Sequence, residues 1–359
     1  MGRRRRRRDP RLIASTGSGD GLTGIAICVP ARDESDRLPR LFDAIEGLLL
    51  PPGTALSLCL LLDGCTDASA AVADDYARRS RHDIHIAMVE RCDANAGIAR
   101  HRAMQLGATV LGDGGGVLLT TDADSWPQSD WLGATMAALH HADLIVGDVV
   151  RGGHAIDNGQ DRVELYYARL FAFRRRCDPV AWEAAHMHHH ASGANMAMRT
   201  QVYAALGGFP PLASGEDARL VDDAARAGFR VRHDAASVVH TSARRHGRAQ
   251  DGLAANLRLR DRDGLDGIRV AHPVDQAWQY RAHALARLAF DTGSMMEVSN
   301  AVGLTPDHLL GVARDCPNAE AFAMRAVPIP PGGMRQVPLA VAETALAALC
   351  ATAPPARAA

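Results

Sequence analysis

Between residues 24 and 124, four short apolar runs with strand character alternate with segments of helical character. The apolar runs are GIAICVP, SLCLLLD, DIHIAMVE and GVLLTTDAD, and short polar connections follow them. This order predicts an α/β fold with a mostly parallel sheet and helices on its faces. In such open sheets, ligands bind outside the edge where the carboxyl ends of the strands meet. We call this edge the rim, and the segments after the four strands are expected to lie along it.

Acids and turn-forming residues dominate those segments. ARDE follows the first strand, DGCTD includes the end of the second, CDANAG follows the third, and DAD ends the fourth. Asp122 and Asp124 in DAD are one residue apart, and their carboxylates repel each other unless a positive group lies near both. Mg²⁺ or Mn²⁺ would be such a group, because both ions prefer oxygen ligands. The alternative is that the two acids cap a helix over WPQSDWLGATM.

The composition excludes several classes of protein. The formal net charge of the 359 residues is −1, which argues against a dedicated nucleic-acid-binding protein. The chain has no lysine, which excludes a P-loop or a Schiff-base lysine. Its cysteines are scattered without a CxxC pair, and its apolar runs are shorter than the ~20 residues that span a bilayer. A reduced, cytoplasmic protein without a transmembrane segment is therefore expected, and peripheral contact with a membrane stays open.

The second half of the chain is less regular. Its patterns predict three strands, three helices, a histidine-rich loop and a basic segment. In chain order they occupy ADLIVGDVV, RVELYYARLFAFRRRC, MHHHASGANMAMR, QVYAALGGFPP, GEDARLVDDAARAGFRV and SVVHTSARRHGRA. Glu216 and Asp217 fall in the first turn of a predicted helix, where acids interact favourably with the helix dipole.

The order of the motifs is specific. VPARDE, DGCTDAS, NAGIAR, TTDADSWP, SGANMAMR, GGFP with SGED, and VVHTSARR follow one another between residues 24 and 250. This series resembles that of the family 2 nucleotide-sugar glycosyltransferases, which have the GT-A fold. The resemblance implies a nucleotide-diphospho-sugar donor, a divalent metal ion, Mg²⁺ or Mn²⁺, and transfer of the sugar to an acceptor hydroxyl.

The charge pattern, the resemblance and the helical character of the C-terminal part together predict how the chain is divided. Residues 1–22, which begin MGRRRRRRDPR, are expected to be a disordered tail, with contact to anionic lipid or nucleic acid as the alternative. Residues 23–262 are expected to form the GT-A domain, with a nucleotide-binding half over 23–125 and an acceptor half over 126–262. Residues 263–359 lie outside the resemblance and are expected to form a helical extension.

The resemblance assigns the acids of the rim to donor binding. Asp124 is expected to bind the metal most directly, and Asp122 to contact the ribose or the metal's water shell. A carboxylate at Asp63 would accept a hydrogen bond from a base N–H such as uracil N3, which favours UDP over GDP. The family usually has D-D-x-S-x-D where this chain has LDGCTD, so Asp63 alone is left for the base and Asp67 is expected to cap a helix. A simple Asp-Gly turn is the alternative for Asp63.

Other motifs are expected to contact the nucleotide or its phosphates. The backbone of Pro30 and the side chains of Arg32 and Glu34 are expected at the nucleotide. The family form of this motif is V-P-x-x-N-E, and Asp33 replaces the Asn. Arg100 in NAGIAR is expected to face the rim and reach phosphate, with a solvated arginine as the alternative. For VPARDE, the alternative is that Asp33 or Glu34 starts the next helix.

The GED motif supplies the expected catalytic pair, Glu216 and Asp217. In inverting members of the family the Asp of this pair is the general base, so Asp217 is expected to take the proton of the acceptor hydroxyl. Two solvated acids that cap a helix are the alternative. Asn195 in GANMAMR is expected near the donor sugar.

The VVHTSARR motif adds a histidine and an arginine cluster. His240 is expected to complete the metal shell, with a satisfied core histidine as the alternative. Arg244 and Arg245, with Arg248, are expected to bind the diphosphate or an anionic acceptor, with a solvated loop as the alternative.

The run HMHHH at residues 186–190, with His140 and His141, invites a zinc interpretation. Its spacing fits no common zinc pattern, and no Cys or Glu near it in the sequence completes a set. We therefore expect an acceptor-side loop whose histidines hydrogen-bond sugar or carboxylate groups.

Three other functions compete with an inverting transferase. A retaining enzyme similar to glucosyl-3-phosphoglycerate synthase shares the DxD motif and a following His. A nucleotide-sugar pyrophosphorylase would need a Gly-rich signature after the first strand, but STGSGDG precedes that strand here. A non-catalytic nucleotide-sugar-binding module is the third. The acceptor, a small molecule or a lipid, and the oligomeric state are left open.

Overall fold

The computed structural model of the protein describes residues 23–90, 95–152, 158–242 and 267–352. Ten strands and twelve helices lie within these ranges. The predicted tail over residues 1–22 lies outside them, as does the predicted domain boundary at residue 262.

The alternation predicted for the first part of the chain is confirmed. Each predicted helix has an apolar side that packs on the sheet; in the first helix it consists of Leu38, Leu41, Phe42 and Ile45. The elements are β1 (Thr23–Ala31), α1 (Leu38–Glu46), β2 (Thr54–Asp63), α2 (Ser69–Arg79), β3 (Asp83–Val89), α3 (Ala96–Leu111) and β4 (Val117–Thr120).

The second part contains the remaining strands of the main sheet. Its elements are β5 (Ser125–Pro127), α4 (Trp131–Ala138), β6 (Leu144–Gly152), α5 (Asn158–Cys177), β7 (Met196–Arg199), α6 (Thr200–Ala205), α7 (Glu216–Ala227) and β8 (Val231–Ser242).

The main sheet has eight strands in the order β3-β2-β1-β4-β7-β6-β8-β5. β1 pairs in parallel with β2 and β4, β2 with β3, and β6 with β8. β7 runs antiparallel to both β4 and β6, so those two strands point in the same direction. The carboxyl ends of β1, β2, β3 and β4 therefore lie along one rim, as the alternation predicted, and those of β6 and β8 lie on the same side of the sheet.

One strand boundary differs from the prediction. The fourth strand was expected to run through Asp124, but β4 ends at Thr120, and β5 then begins at Ser125 and pairs antiparallel to β8. A hydrogen bond from Ser125 N to Asp122 O, 3.0 Å, closes the turn between them. The DAD motif therefore forms the turn that carries the chain from the centre of the sheet to its edge.

The core lies on both faces of the sheet. Alternate residues of β1 illustrate this: Ile25, Ile27 and Val29 belong to one buried apolar cluster, whereas Ala26 and Cys28 belong to the cluster on the other face. Because parallel strands covered on both faces are buried throughout, β1 is apolar without the alternation of a half-exposed strand.

The C-terminal part of the chain is mostly helical, as expected, and also contains a two-stranded antiparallel sheet. Its elements are β9 (Arg269–Ala271), α8 (Pro273–Thr292), α9 (Met296–Val302), α10 (Pro306–Arg314), α11 (Ala319–Ala326), β10 (Gln336–Pro338) and α12 (Leu339–Thr352). No helix in the described ranges is both long and apolar enough to cross a membrane.

The extension packs directly on the preceding domain. Tyr166 and Phe173 of α5 share a buried apolar cluster with Val270 and Leu346 of the extension. Arg287 of α8 forms ion pairs with Asp178, which follows α5, and with Glu320 of α11, at 2.7 Å for the latter. The extension therefore shares both apolar and ionic contacts with the main domain.

Candidate active site

The carboxylates of Asp122 and Asp124 lie on the open side of the DAD turn. Burial alternates along this segment: Thr121, Ala123 and Ser125 are buried, whereas Asp122 and Asp124 are partly exposed. Helix α4 begins only at Trp131 and has Asp130 at its N-cap position, so the helix-cap alternative for the DAD acids is wrong. Both carboxylates thus lie at the rim and are partly exposed.

Different partners hold each carboxylate. Asp122 Oδ1 lies 3.0 Å from Arg100 Nη1, and Asp124 Oδ2 accepts a hydrogen bond of 2.6 Å from Ser242 Oγ. Ser242 N also donates to Asp124 O, 3.2 Å. The end of β8 therefore fixes Asp124, and α3 fixes Asp122.

Arg100 is buried at the centre of the site, although a rim-facing, phosphate-contacting side chain was expected. Its Nε donates to Glu216 Oε1, 3.1 Å, and its Nη1 donates to Thr120 Oγ1, 3.1 Å, and to Gly193 O, 2.8 Å, besides Asp122. Burial alone would lower the pKa of Arg100, but the surrounding carboxylates raise it well above its usual range. Arg100 therefore joins four segments of the chain.

Glu216 and Asp217 have different environments. Glu216 is 4% exposed and pairs with Arg100; burial raises its pKa, and the arginine offsets part of that rise. Asp217 is partly exposed, and its Oδ2 accepts a hydrogen bond of 3.0 Å from Gly193 N. The alternative of two solvated acids is thus wrong for Glu216. Of the pair, only Asp217 is partly exposed.

Gly193 connects both halves of this network through its backbone. A Cβ at this position would lie 2.3 Å from Cζ of Arg100, so only glycine fits without moving the guanidinium. Its carbonyl accepts from Arg100 and its N–H donates to Asp217. Neither Gly193 nor Ser242 was among the predicted site residues; the SGANM motif was the available signal for Gly193.

The ends of β1 and β2 form a second part of the rim. Arg32 donates from Nε to Asp63 O, 3.2 Å, and its Nη2 forms an ion pair with the carboxylate of Asp63, which is 3% exposed. Glu34 is 4% exposed, and its Oε2 lies 3.3 Å from Arg37 Nη1. The predicted nucleotide-contacting side chains Arg32 and Asp63 therefore lie together, close to Pro30 near the end of β1.

The turn after β1 has a backbone conformation that suits Asp33 as well as the asparagine of the family motif. Asp33 has φ 48°, in the left-handed region where Asn and Asp are the most tolerated residues after glycine. Its Oδ1 accepts a hydrogen bond of 2.6 Å from Thr66 N, which lowers the pKa of the Asp33 carboxyl. Asp67 was predicted to cap α2, but the N-cap position is Ala68, which makes no side-chain cap hydrogen bond. Asp67 lies one residue earlier, and its Oδ1 accepts a hydrogen bond of 2.9 Å from Ser69 N, at the first residue of the helix.

His240 is stacked on Trp126 with ring centroids 5.8 Å apart, and its Nε2 lies 3.2 Å from Gln128 Nε2. Among the described residues, three groups of potential metal ligands have ligand atoms within 4.8 Å of one another, and none of the three includes Asp122, Asp124 or His240. The structure thus brings the two acids to the rim without gathering His240 to them.

Asn195 is buried rather than open to a donor sugar. Its Oδ1 accepts from Trp131 Nε1, 2.9 Å, and its Nδ2 donates to Asp148 O, 2.8 Å, and Ser237 O, 2.9 Å. These partners occupy the side-chain amide, and the location of Asn195 near the donor sugar stays a prediction. The predicted diphosphate ligands Arg244 and Arg245 lie outside the described residues.

Acids do complete the histidine run in space, contrary to the expectation from sequence. His190 Nε2 lies 3.3 Å from Asp148 Oδ1, and His189 Nε2 lies 3.0 Å from Glu164 Oε2. Burial and the neighbouring His190 lower the pKa of His188 to about 4. The two acids come from β6 and α5, more than twenty residues earlier, so spacing along the chain did not reveal them.

Comparison with known proteins identifies the family. Residues 26–203 match the sequence profile of Glycosyl transferase family 2. No curated protein compared with the chain matches it in sequence.

Several solved structures resemble the chain at low identity. S. aureus TarS 1-349 in complex with UDP-GlcNAc is 14% identical, with 84% of this chain and 90% of that chain covered and a TM-score of 0.47. Mannosyltransferase PcManGT from Pyrobaculum calidifontis, in complex with GDP-Man and Mn2+, is 18% identical, with 92% and 79% covered and a TM-score of 0.45. Glucosyl-3-phosphoglycerate synthase from Mycobacterium tuberculosis is 19% identical, with 69% and 84% covered and a TM-score of 0.40. The domain matched over residues 26–203 belongs to glycosyl transferase family 2, and the protein is a glycosyltransferase with the GT-A fold.

Proposed function

We propose that the rim binds a nucleotide-diphospho-sugar and that the enzyme transfers its sugar, with inversion, to an acceptor hydroxyl. The observation that carries the proposal is the pair of partly exposed carboxylates, Asp122 and Asp124, fixed at the end of β4 by Arg100 and Ser242. A pair of fixed carboxylates at this place suits a ligand that carries a divalent cation and a diphosphate.

The residues fit Mg²⁺ or Mn²⁺ by their chemistry. Asp124 would hold the ion, with Asp122 beside it, because carboxylate oxygens are the ligands that hard divalent cations prefer. Such an ion supplies positive charge that stabilises the diphosphate as it leaves. His240 contacts Trp126 and Gln128 instead, so we leave it out of the proposed shell.

The ends of β1 and β2 are the proposed base-binding part. Asp63 would accept a hydrogen bond from a base N–H, and its ion pair with Arg32 orients the carboxylate. This hydrogen bond suits uracil N3, so UDP is the proposed nucleotide of the donor. Glu34 and the backbone of Pro30 border the same place on β1 and the turn after it.

Asp217 is the proposed general base. The hydrogen bond from Gly193 N holds one carboxylate oxygen and the helix start holds the other, through Ala218 N at 2.7 Å from Oδ1. The carboxylate would accept the proton of the acceptor hydroxyl while the hydroxyl oxygen attacks the anomeric carbon. Glu216 is a positioning residue, because it contacts Arg100 and is buried away from the acceptor.

The test is release of nucleoside diphosphate from a panel of UDP-sugars and GDP-sugars in the presence of Mn²⁺ or Mg²⁺. We expect the wild type to consume a UDP-sugar and Asp124→Ala to lose at least about 100-fold in rate, since a metal-stabilised leaving group contributes several kcal/mol. Asp130→Ala, which changes an exposed acid near the start of α4, is the matched control and should keep the wild-type rate. An unchanged rate in Asp124→Ala would refute the role of the DAD turn.

A further inference from the structure

Outside the DAD turn, a second group of potential metal ligands joins β6 to the histidine loop. Asp148, His188 and His190 each have a ligand atom, and these atoms lie within 4.8 Å of one another. His190 Nε2 and Asp148 Oδ1 are already 3.3 Å apart. Two ligands of a tetrahedral zinc ion, each about 2.1 Å from the metal, are roughly 3.4 Å apart. One edge of a metal site is therefore preformed.

The tautomer of His188 leaves a nitrogen lone pair with no hydrogen-bond donor near it in the described part of the chain. His188 is 8% exposed, and its Nε2 lies 3.0 Å from Val146 O. A carbonyl oxygen only accepts, so Nε2 carries the proton and Nδ1 carries the lone pair. Nδ1 is buried and has no hydrogen-bond partner among the described residues. Metal-binding histidines are commonly fixed in this way, with the other ring N–H donated to a backbone carbonyl.

A register shift in the sheet lies at Asp148. Gly147 pairs with Asp234 of β8, whereas Asp148 pairs with Val238, so three residues of β8 are extra at this point. Bulges of this kind often change the direction of a side chain beside a functional site. Asn195 braces the irregularity through its hydrogen bonds to Asp148 O and Ser237 O. The position of Asp148 is thus held by the sheet rather than by a surface loop.

We propose that Asp148, His190 and Nδ1 of His188 bind a divalent transition-metal ion, of which Zn²⁺ is the best match, at a site separate from the DAD acids. Two imidazoles and one carboxylate suit zinc and related ions better than Mg²⁺ or Ca²⁺. Three protein ligands leave one coordination position for water or another ligand. Binding replaces the hydrogen bond of 3.2 Å that His190 Nε2 accepts from Val149 N.

A neighbouring group, Glu164, His189 and His190, shares one residue with this site. Its members are partly exposed, and His189 is already paired with Glu164 at 3.0 Å and stacked on Tyr167. It has no buried nitrogen that lacks a partner among the described residues. The structure therefore assigns the ion to His188 rather than to His189.

The first experiment measures zinc binding to the full chain, purified without a polyhistidine tag and freed of metal by a chelator. Asp124→Ala serves as the background, so that the DAD turn does not contribute. Zn²⁺ is titrated in competition with a chromophoric chelator, and Co²⁺ absorption gives an independent signature of the ligand geometry. We expect one equivalent of Zn²⁺ to bind. The absence of saturable Zn²⁺ binding would overturn the proposal while leaving the proposed transferase activity untouched.

Variants in this background locate the ion. His190→Gln and Asp148→Asn change partly exposed residues, and His188→Gln changes the buried one; each is expected to weaken Zn²⁺ binding by about 100-fold or more. His141→Gln, an exposed histidine elsewhere on the surface, should leave binding unchanged. Circular dichroism checks that each variant is folded, and if His188→Gln is not, the other two carry the test.

The same titration separates the two histidine groups. His189→Gln is expected to keep Zn²⁺ affinity within about threefold and to leave the Co²⁺ spectrum unchanged. Loss of binding in His189→Gln with retention in Asp148→Asn would place the ion at Glu164 and overturn the proposal. If both His190→Gln and Asp148→Asn keep the wild-type affinity for Zn²⁺, the ion binds elsewhere and the proposal is also overturned.

Discussion

Arg100 Nε lies 3.1 Å from Glu216 Oε1, and both side chains are buried, although the residues are 116 positions apart in the chain. The same guanidinium contacts Asp122 of the DAD turn at 3.0 Å. One buried cation therefore links the proposed metal-binding turn to the helix that carries Asp217. The position of each acid depends on the arginine.

Replacement of this arginine should destabilise the fold as well as the site. Arg100→Met leaves the Glu216 carboxylate buried without its partner, which typically costs about 3–5 kcal/mol. We expect a loss of that size in the free energy of unfolding measured with urea. Arg169→Met, at an exposed position on α5, is the control and should change it by about 0.5 kcal/mol or less. Equal effects of the two substitutions would contradict the buried network.

Gly193→Ala tests the close approach of backbone and guanidinium. The new Cβ would lie 2.3 Å from Cζ of Arg100, so the arginine or the loop must move. We expect a stability loss of about 1–3 kcal/mol and at least a tenfold fall in donor turnover. Gly133→Ala is the control, since its Cβ meets no atom within 4 Å and alanine favours the helix. A Gly193→Ala enzyme with wild-type turnover would show that this contact is not needed.

Asp217→Asn should separate chemistry from binding. The amide keeps the shape of the carboxylate but does not take a proton, so we expect kcat to fall by about 10²–10⁴. Affinity for the nucleoside diphosphate, measured by calorimetry, should stay within about threefold of the wild type. Asp222→Asn, on the exposed side of the same helix, is the matched control. A fall in affinity equal to the fall in kcat would argue for a donor-binding role instead.

The stability of the protein should decrease in mild acid because of His283. Burial and the positive charges of Arg287, Arg174 and Arg226 lower the pKa of His283 to about 3. In the unfolded chain the pKa of a histidine is about 6.5. Between these values the unfolded chain binds a proton that the folded chain does not, so this contribution to stability is present above pH ~6.5 and is lost as the pH falls.

In His283→Gln, the free energy of unfolding should fall less steeply between pH 7 and pH 5 than in the wild type. The difference in slope should be less than about 1.4 kcal/mol per pH unit, which is the limit for the uptake of one proton. Urea unfolding at several pH values measures the slope. His308→Gln, at an exposed histidine, should leave it unchanged. An identical slope in wild type and His283→Gln would contradict the account.

Much of the fold was predictable because its information is local. The apolar runs of β1 and β2 and the apolar face of α1 are readable from periodicity, and the topology rule then places their carboxyl ends on one rim. The DAD acids and Asp63 were located in this way. The break of the fourth strand at Thr120 could not be predicted, because it depends on the pairing of β5 with β8. The paired residues Ser125 and Thr241 are 116 positions apart in the chain.

The partners of the site residues were not predictable, because they come from distant segments. Burial of Arg100 depends on Thr120, Gly193 and Glu216, and no pattern near NAGIAR signals those contacts. The burial of Asn195 was not predictable either, because a motif gives the order of residues and not the direction of their side chains. The same limit hid the acids that lie beside the histidine loop.

The most direct test of the central claim is isothermal titration of UDP and GDP, each with and without Mn²⁺, into wild type and Asp124→Ala. We expect one nucleotide, UDP, to bind the wild type in a Mn²⁺-dependent manner, and this binding to be lost in Asp124→Ala but kept in Asp130→Ala. Metal-independent binding, or equal binding by wild type and Asp124→Ala, would contradict the assignment of the DAD turn to a metal-bound nucleotide diphosphate.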